Sequence, residues 1–307
     1  MNSQSNTMNP APLRAHAVAP ADIPAIRQFD SSVRRELWES RSITIAPIAA
    51  AGLFLFGFLI STIYLPQRLR SAFSPEQLHG VIEQPYDIVA LLIMGVSFLV
   101  AVFYCLEALY GERRDRSILF WKSLPVSDAM TVLSKMTIPV LVVPLLAFAI
   151  TVATQFAMLL VSSAVLLGSG MSAGTVWGHL PLFHMWRMLF LHLVGGHGLW
   201  YAPIYGWLLL VSAWARRPPF LWAALPPLAV GGVEKIAFNT SHFAAILEHR
   251  MMGGPFVGAS TTGMSVDAMT PFTAGQLLGS PGLWIGLAIA AAFLAGAVRL
   301  RRHRGPI

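Results

Sequence analysis

Histidines raise the first chemical question. His184, His192 and His197 lie eight and five residues apart, and a metal or a proton relay is the chemistry that grouped imidazoles would serve. Zinc-binding helices stack their ligands three or four residues apart, a spacing absent here, and neither an HExxH run nor a second acidic partner accompanies them. Packing or interfacial roles are the preferred reading. Gly195, Gly196 and Gly198, in the same stretch, favour close helix approach or a bend. Glu107 stands one helical turn before an apolar run ends. It either pairs with Arg113, Arg114 or a basic group of a partner, or snorkels into interfacial water. Adjacent Glu234 and Lys235, near the end of another run, form a local ion pair or a gate, with the ion pair preferred. Thr151, Thr154 and Gln155 are the few polar groups of a third run. They bond a neighbouring helix or line a conduit, the first being preferred.

Other chemistry is excluded more firmly. The chain has no GxxxxGK[ST] run, so it cannot bind ATP through a P-loop of its own. It also lacks a GxSxG, a paired-aspartate motif and a metal-ligand set, so no catalytic, cofactor-binding or metal residue is expected and the chain is not read as an enzyme. Cys105 is the only cysteine and lies within an apolar run, which rules out an intrachain disulfide or a cysteine metal cluster.

The elements that would carry these residues follow from composition. Of 307 residues 55% are hydrophobic and 11% charged, against about 25% charged in an ordinary soluble domain. A bilayer core about 30 Å thick needs roughly 20 apolar residues as a helix, and six stretches approach that: 43–65, 88–109, 136–167, 188–214, 218–238 and 281–300. An all-α integral membrane protein with six transmembrane helices is expected. The length of the third span, with Pro139 and Pro144 near its start, suggests a tilt, a kink, a projection into water or a break, while Pro226, Pro227, Gly231 and Gly232 leave the fifth as a full span or a re-entrant hairpin. Ser241 to Met252 has the spacing of a short helix on the outer surface. Met1 to about Asp30, rich in Pro, Ala, Ser and Asn and without a secretory signal pattern, is expected as a disordered cytoplasmic tail. The permease domain would then cover 31–307.

Charge sets the orientation. The net charge of +7 invites a nucleic-acid reading, but in a membrane protein basic residues mark cytoplasmic loops, so the partner implied is the lipid bilayer and no nucleic acid is expected. With both termini inside, segments 1–42, 110–135, 215–217 and 299–307 hold five, five, two and four Lys or Arg, sixteen of the 21 in the chain. An odd number of spans would scramble that pattern.

One basic and amphipathic stretch interrupts the oil, between the second and third spans: YGERRDRSILFWKSLPVSDAMTVLSK, Tyr110 to Lys135. Glu112, Arg113, Arg114, Asp115 and Arg116 precede the apolar Ile118, Leu119, Phe120 and Trp121. Leu124 and Pro125 end that helix, and Ser127 or Asp128 caps a new one entering the third span. A short amphipathic helix along the membrane surface, a turn and a re-entry are expected.

This arrangement, an ER-x-D-x-[ST] start followed by a SLPVS turn, resembles the permease subunits of the type-2 branch of ATP-binding-cassette (ABC) exporters. The match is clearest from Glu107 to Lys135, and the six-span layout extends it over most of the chain. The resemblance implies that the segment is a coupling helix docking on a separate ABC-type ATPase subunit, which binds the ATP and magnesium. The residues matching it are Glu112, Arg113, Arg114, Asp115, Arg116 and Ser117, with Trp121 as aromatic anchor, and the turn Ser123, Leu124, Pro125, Val126 and Ser127. It implies a second permease, identical or paralogous, and a bacterial cell (inner) membrane. Scarce charge along most spans favours a lipophilic or amphipathic cargo over a small ion. The alternatives are a non-transporting polytopic assembly or regulatory protein whose basic loop binds a cytosolic partner, and, further off, a membrane-embedded enzyme using the histidines.

Overall fold

The computed structural model describes residues 24–71, 74–123, 126–172, 174–251 and 274–304. In chain order the described elements are α1 (Ala25–Glu39), α2 (Ser42–Thr62), α3 (Leu65–Ser71), α4 (Pro75–Ile82), α5 (Gln84–Ala108), α6 (Tyr110–Arg114), α7 (Ser117–Ser123) and α8 (Asp128–Thr137). A π-helical stretch (Ile138–Val142) leads into α9 (Val143–Gly168), followed by α10 (Gly174–His179) and α11 (Leu182–Leu191). A second π-helical stretch (His192–Trp200) leads into α12 (Ala202–Trp214), then α13 (Pro219–Phe238), α14 (His242–Met251), α15 (Ala274–Gly279) and α16 (Pro281–His303). No strand occurs among the described residues.

Among the described residues five helices are long and apolar enough to cross a membrane: Ser42–Thr62, Gln84–Arg114, Asp128–Gly168, Pro219–Phe238 and Pro281–His303. An all-α, multi-pass membrane protein is the coarse architecture these define. Their outward faces carry large apolar side chains, such as Leu53 and Phe56 on α2 and Leu228 and Ile236 on α13, as expected where lipid is the solvent.

The expected fourth span, 188–214, is not one α-helix. Leu182–Leu191, nine π-helical residues and the 13-residue α12 share its length. The glycine trio lies within the π-helical part, where weak helix propensity lets the backbone widen. Gly198 meets the third span there: a Cβ at this position would lie 2.4 Å from the Val140 carbonyl oxygen, which only glycine permits. Val140 belongs to the other π-helical stretch, next to Pro139 and Pro144, so the prolines produce a local widening where a break or kink was expected. From Asp128 to Gly168 the chain remains one helical rod of 41 residues. At 1.5 Å per residue that is about 60 Å, roughly twice a bilayer core.

Pro226 and Pro227 do not break the fifth span either, because α13 runs unbroken through both. Pro227 has no N–H for the carbonyl of Ala223, four residues back, and the indole N–H of Trp207 donates to that carbonyl instead, at 3.1 Å. Asn239, at φ 51°, ends α13 in the left-handed conformation that asparagine tolerates. The chain then turns back, and α14 packs on α13 with Phe243 beside Gly231. The short helix expected here is α14, which buries no residue and is pinned at its far end. Trp200 Nε1 donates to the Arg250 carbonyl at 3.2 Å, Tyr201 Oη to the Met251 carbonyl at 2.9 Å, and Arg250 Nη1 to the Gly282 carbonyl at 3.0 Å.

Beside a small cluster of Trp200, Leu277 and Leu283, two larger apolar clusters form the core of the described residues. One gathers Ile43, Ala101, Leu209, Val132 and Ala297; the other, farther along the bundle, gathers Val89, Ile93, Met158, Leu159 and Leu166. Between the first cluster and the bundle's basic end, α1, α6, α8 and the last turn of α16 converge. Residues Ala25 to Asp30, expected within the disordered tail, belong to α1, whose Ser32, Val33, Glu36 and Leu37 face the bundle at helical spacing. Positions 1–23 lie outside the described residues.

Candidate functional site

The basic segment is built from two short helices instead of the single one expected. Asp115 and Arg116 separate α6 from α7, with Arg116 at φ 58°. Left-handed backbone costs a bulky residue about 1 kcal/mol or more. The corner turns α7 away from α6, presenting Leu119, Phe120 and Lys122 outward and burying Ile118. Ser127 caps α8, its hydroxyl accepting from the Met130 N–H at 3.2 Å. Leu124 and Pro125, the centre of the expected turn, lie outside the described residues, as do details of the Ser123 side chain; Val126 is half-buried.

Behind this segment lies a knot of buried charge. Lys135, on α8, is 2% exposed, and its Nζ reaches both carboxylate oxygens of Glu36 at 2.8 and 2.9 Å and Glu112 Oε1 at 3.1 Å. Arg301, on α16, is 4% exposed and pairs with the other oxygen of Glu112 through Nη1, and with Asp128 Oδ1 at 3.1 Å through Nε. Tyr104 Oη donates to Glu36 Oε2 at 3.0 Å and Arg35 Nη2 to Glu36 Oε1 at 3.0 Å. Arg35 also stacks over Trp121, its guanidinium carbon 3.7 Å from the ring centroid, which fastens α7 to α1. Ions this buried are tolerated because each is paired with a group of opposite charge.

Burial pushes the Glu36 carboxyl up, but the Lys135 ammonium and the hydrogen bonds from Lys135, Arg35 and Tyr104 together outweigh it, so its pKa falls below the usual carboxylate range. Glu39, half-exposed nearby, moves the other way: partial burial and then the charge of Glu36 raise it.

A second, uncharged joint holds the start of the segment. Ser212, fully buried on α12, accepts from the N–H groups of Leu109 and Tyr110 at 3.0 and 2.9 Å and donates to the Leu106 carbonyl at 2.7 Å. Those groups are left over where α5 gives way to α6, so one hydroxyl closes the junction. Arg113 adds two bonds from Nη1 to the carbonyls of Ala213 and Ala215, at 2.8 and 3.0 Å.

The matching residues thus divide. Glu112 and Arg113 are buried and tie the segment to the bundle; Asp115 and Arg116 are exposed; Arg114 is half-exposed and pairs with Glu107 at 2.8 Å and Asp115 at 3.0 Å. Ser117 Oγ reaches back to the Glu112 carbonyl at 3.4 Å. Glu107 takes the pairing option with Arg114 and is itself half-exposed.

Glu234 does not pair with Lys235, which is exposed. Its carboxylate accepts from the N–H groups of His242 and Phe243 at 2.7 and 2.8 Å and from Thr240 Oγ1 at 2.8 Å, capping α14. Gln155 bridges neighbouring helices, donating to the Tyr86 carbonyl at 3.1 Å and accepting from Trp186 Nε1 at 2.8 Å. Thr151 and Thr154 instead bond carbonyls four residues back on their own helix.

The histidines do not converge. His184 contacts Arg187 at 3.2 Å, His192 the Met188 carbonyl at 3.0 Å, and His197 packs edge-on against Phe98 and Tyr201. Among the described residues no group of three His, Cys, Asp or Glu could hold a metal. Glu36, Arg301 and Ser212 were missed as site residues by sequence reasoning. For Glu36 a signal existed, a lone acid on the inward stripe of an amphipathic helix. No protein-family model, curated protein or solved structure compared with the chain matches it.

Proposed function

We propose that the chain is the membrane-spanning permease subunit of an ATP-driven ABC transporter, an exporter of the bacterial inner membrane, with segment 110–135 worked by a separate ATPase subunit. One observation carries the reading. Glu112, inside the charged segment, shares its carboxylate between Lys135 of the third span and Arg301 of the last, while Lys135 also holds Glu36 of α1. A push on the segment is therefore passed to several membrane-crossing elements at once. Exposed Asp115, Arg116, Leu119 and Phe120 supply polar and apolar contacts for docking. Buried Glu112 and Arg113 transmit. ATP binding closes the partner dimer, moves the segment and shifts the permease between two states of access, the work coming from the difference in ATP affinity between them.

Both α1 and the end of α16 meet at this knot, which supports termini on one side and an even number of crossings, with the interrupted 182–214 stretch as a sixth. Together with the basic loops, that side is read as cytoplasmic. Tagged full-length chain, extracted from its native membrane, is expected to bring down a P-loop ATPase. Phe120→Asp is expected to lose the ATPase, while Glu112→Gln retains it but lowers transport-linked ATP hydrolysis. Purification without any P-loop ATPase, or labelling of Lys122 by a membrane-impermeant amine reagent in intact cells, overturns the proposal.

A further inference from the structure

The last turns of α16 carry more cation than the knot uses. Ala295, Val298, Arg299, Arg302 and His303 recur at the spacing of one helical face, while Ala297 and Arg301 face inward and are buried. That outward face and Ala129, in the first turn of α8, bound an open cleft of about 470 Å³. Its lining is mostly apolar, from Ala295, Val298 and Ala129, and the arginines Arg299 and Arg302, with His303, complete it. No carboxylate pairs with Arg299 or Arg302 among the described residues, and neighbouring Asp128 is already engaged by Arg301. The cleft lies where the apolar run of α16, a helix long enough to cross a membrane, gives way to RLRRH, at the depth where acyl chains meet headgroups.

We propose that this cleft binds an anionic phospholipid. Its phosphate would lie against Arg299 and Arg302, and its first chain carbons against Val298, Ala295 and Ala129. Guanidinium groups present paired N–H donors to phosphate oxygens, and basic clefts between membrane helices favour lipids whose headgroups carry net negative charge. The occupant bridges α8 and α16, since Ala129 lies on the first and the other lining residues on the second. Bound lipid would therefore clamp the same two helices that the knot joins. The inference depends on the membrane-spanning architecture and not on the transport reading.

The test uses full-length protein in neutral detergent, titrated with dioleoylphosphatidylglycerol or dioleoylphosphatidylcholine and read by native mass spectrometry. Preferential phosphatidylglycerol adducts are expected. Arg299→Gln with Arg302→Gln should weaken them roughly thirty-fold, the effect of two interfacial cations, while phosphatidylcholine binding stays unchanged. Ala129→Trp, which fills the apolar wall and keeps the charge, should weaken them too. Arg27→Gln with Arg34→Gln, removing two exposed cations from α1, should not. If the first double variant fails to fold, Arg302→Gln alone carries the comparison with roughly a five-fold loss. The proposal falls if wild type binds both lipids equally, or if the α1 variant loses as much as the α16 variant. It falls also if glycerol phosphate, a headgroup without chains, competes as well as the lipid.

Discussion

Among the described residues Lys135 is the cation paired with both Glu36 and Glu112, so its removal is the most informative single change. Lys135→Met leaves Glu36 and Glu112 buried with fewer counter-charges, and breaking a buried pair costs about 3 kcal/mol or more. The apparent melting temperature in detergent is expected to drop markedly, and Glu36→Gln in the same chain to restore part of it. An unchanged melting temperature for Lys135→Met would refute the knot. Acid provides a second probe. Because the folded pKa of Glu36 is lowered, the unfolded chain takes up that proton more readily as pH falls. The stabilisation is complete at neutral pH and drains away as pH drops through and below about 4.3, the ordinary glutamate value. Thermal melts across that window should show a fall that Glu36→Gln lacks. Glu112 and Arg113 were legible in the sequence, since their segment was the most charged run between apolar blocks. Their partners were not: Lys135 lies 99 positions from Glu36 and Arg301 189 from Glu112, and nothing local in a charge pattern reveals such pairings.

At the scale of elements, composition located five of the six expected spans, because a bilayer demands length and oil, both of which are local properties. Proline and glycine were harder to read. Pro226 and Pro227 looked like a break, but whether a freed carbonyl ends a helix depends on a neighbour, here Trp207, which belongs to another element. Trp207→Phe removes the donor while keeping most of the ring. It is expected to destabilise by about 1 kcal/mol, the typical net worth of a lost hydrogen bond at a part-buried site, read again by melting in detergent. Likewise, three glycines announced a close approach without naming its other side. Gly198→Ala must move the Val140 carbonyl, and is expected to lower the melting temperature; Gly95→Ala, with open space around it, is expected to leave or raise it. Equal effects at both positions would argue against the contact between the π-helical stretches.

For the molecule as a whole, the shared position of α1 and the end of α16 makes a topological prediction. Reporters fused ahead of residue 24 and behind residue 304 are expected to register the same side of the membrane, and opposite sides would rule out the even number of crossings. Basic residues cluster in alternate loops and so give an expected orientation, whereas the site was legible only as one exposed strip of it. The interior of the knot has a further consequence. Its four most buried charged members are two acids and two bases, so they cancel, and the chain's surplus of seven positive charges lies outside them, much of it on exposed arginines such as Arg116, Arg299 and Arg302. Raising ionic strength shrinks the range of those outer charges to a few ångströms while barely touching pairs shielded from solvent. Concentrated salt should consequently strip adsorbed polyanions from the surface yet leave the thermal resilience conferred by Lys135 intact.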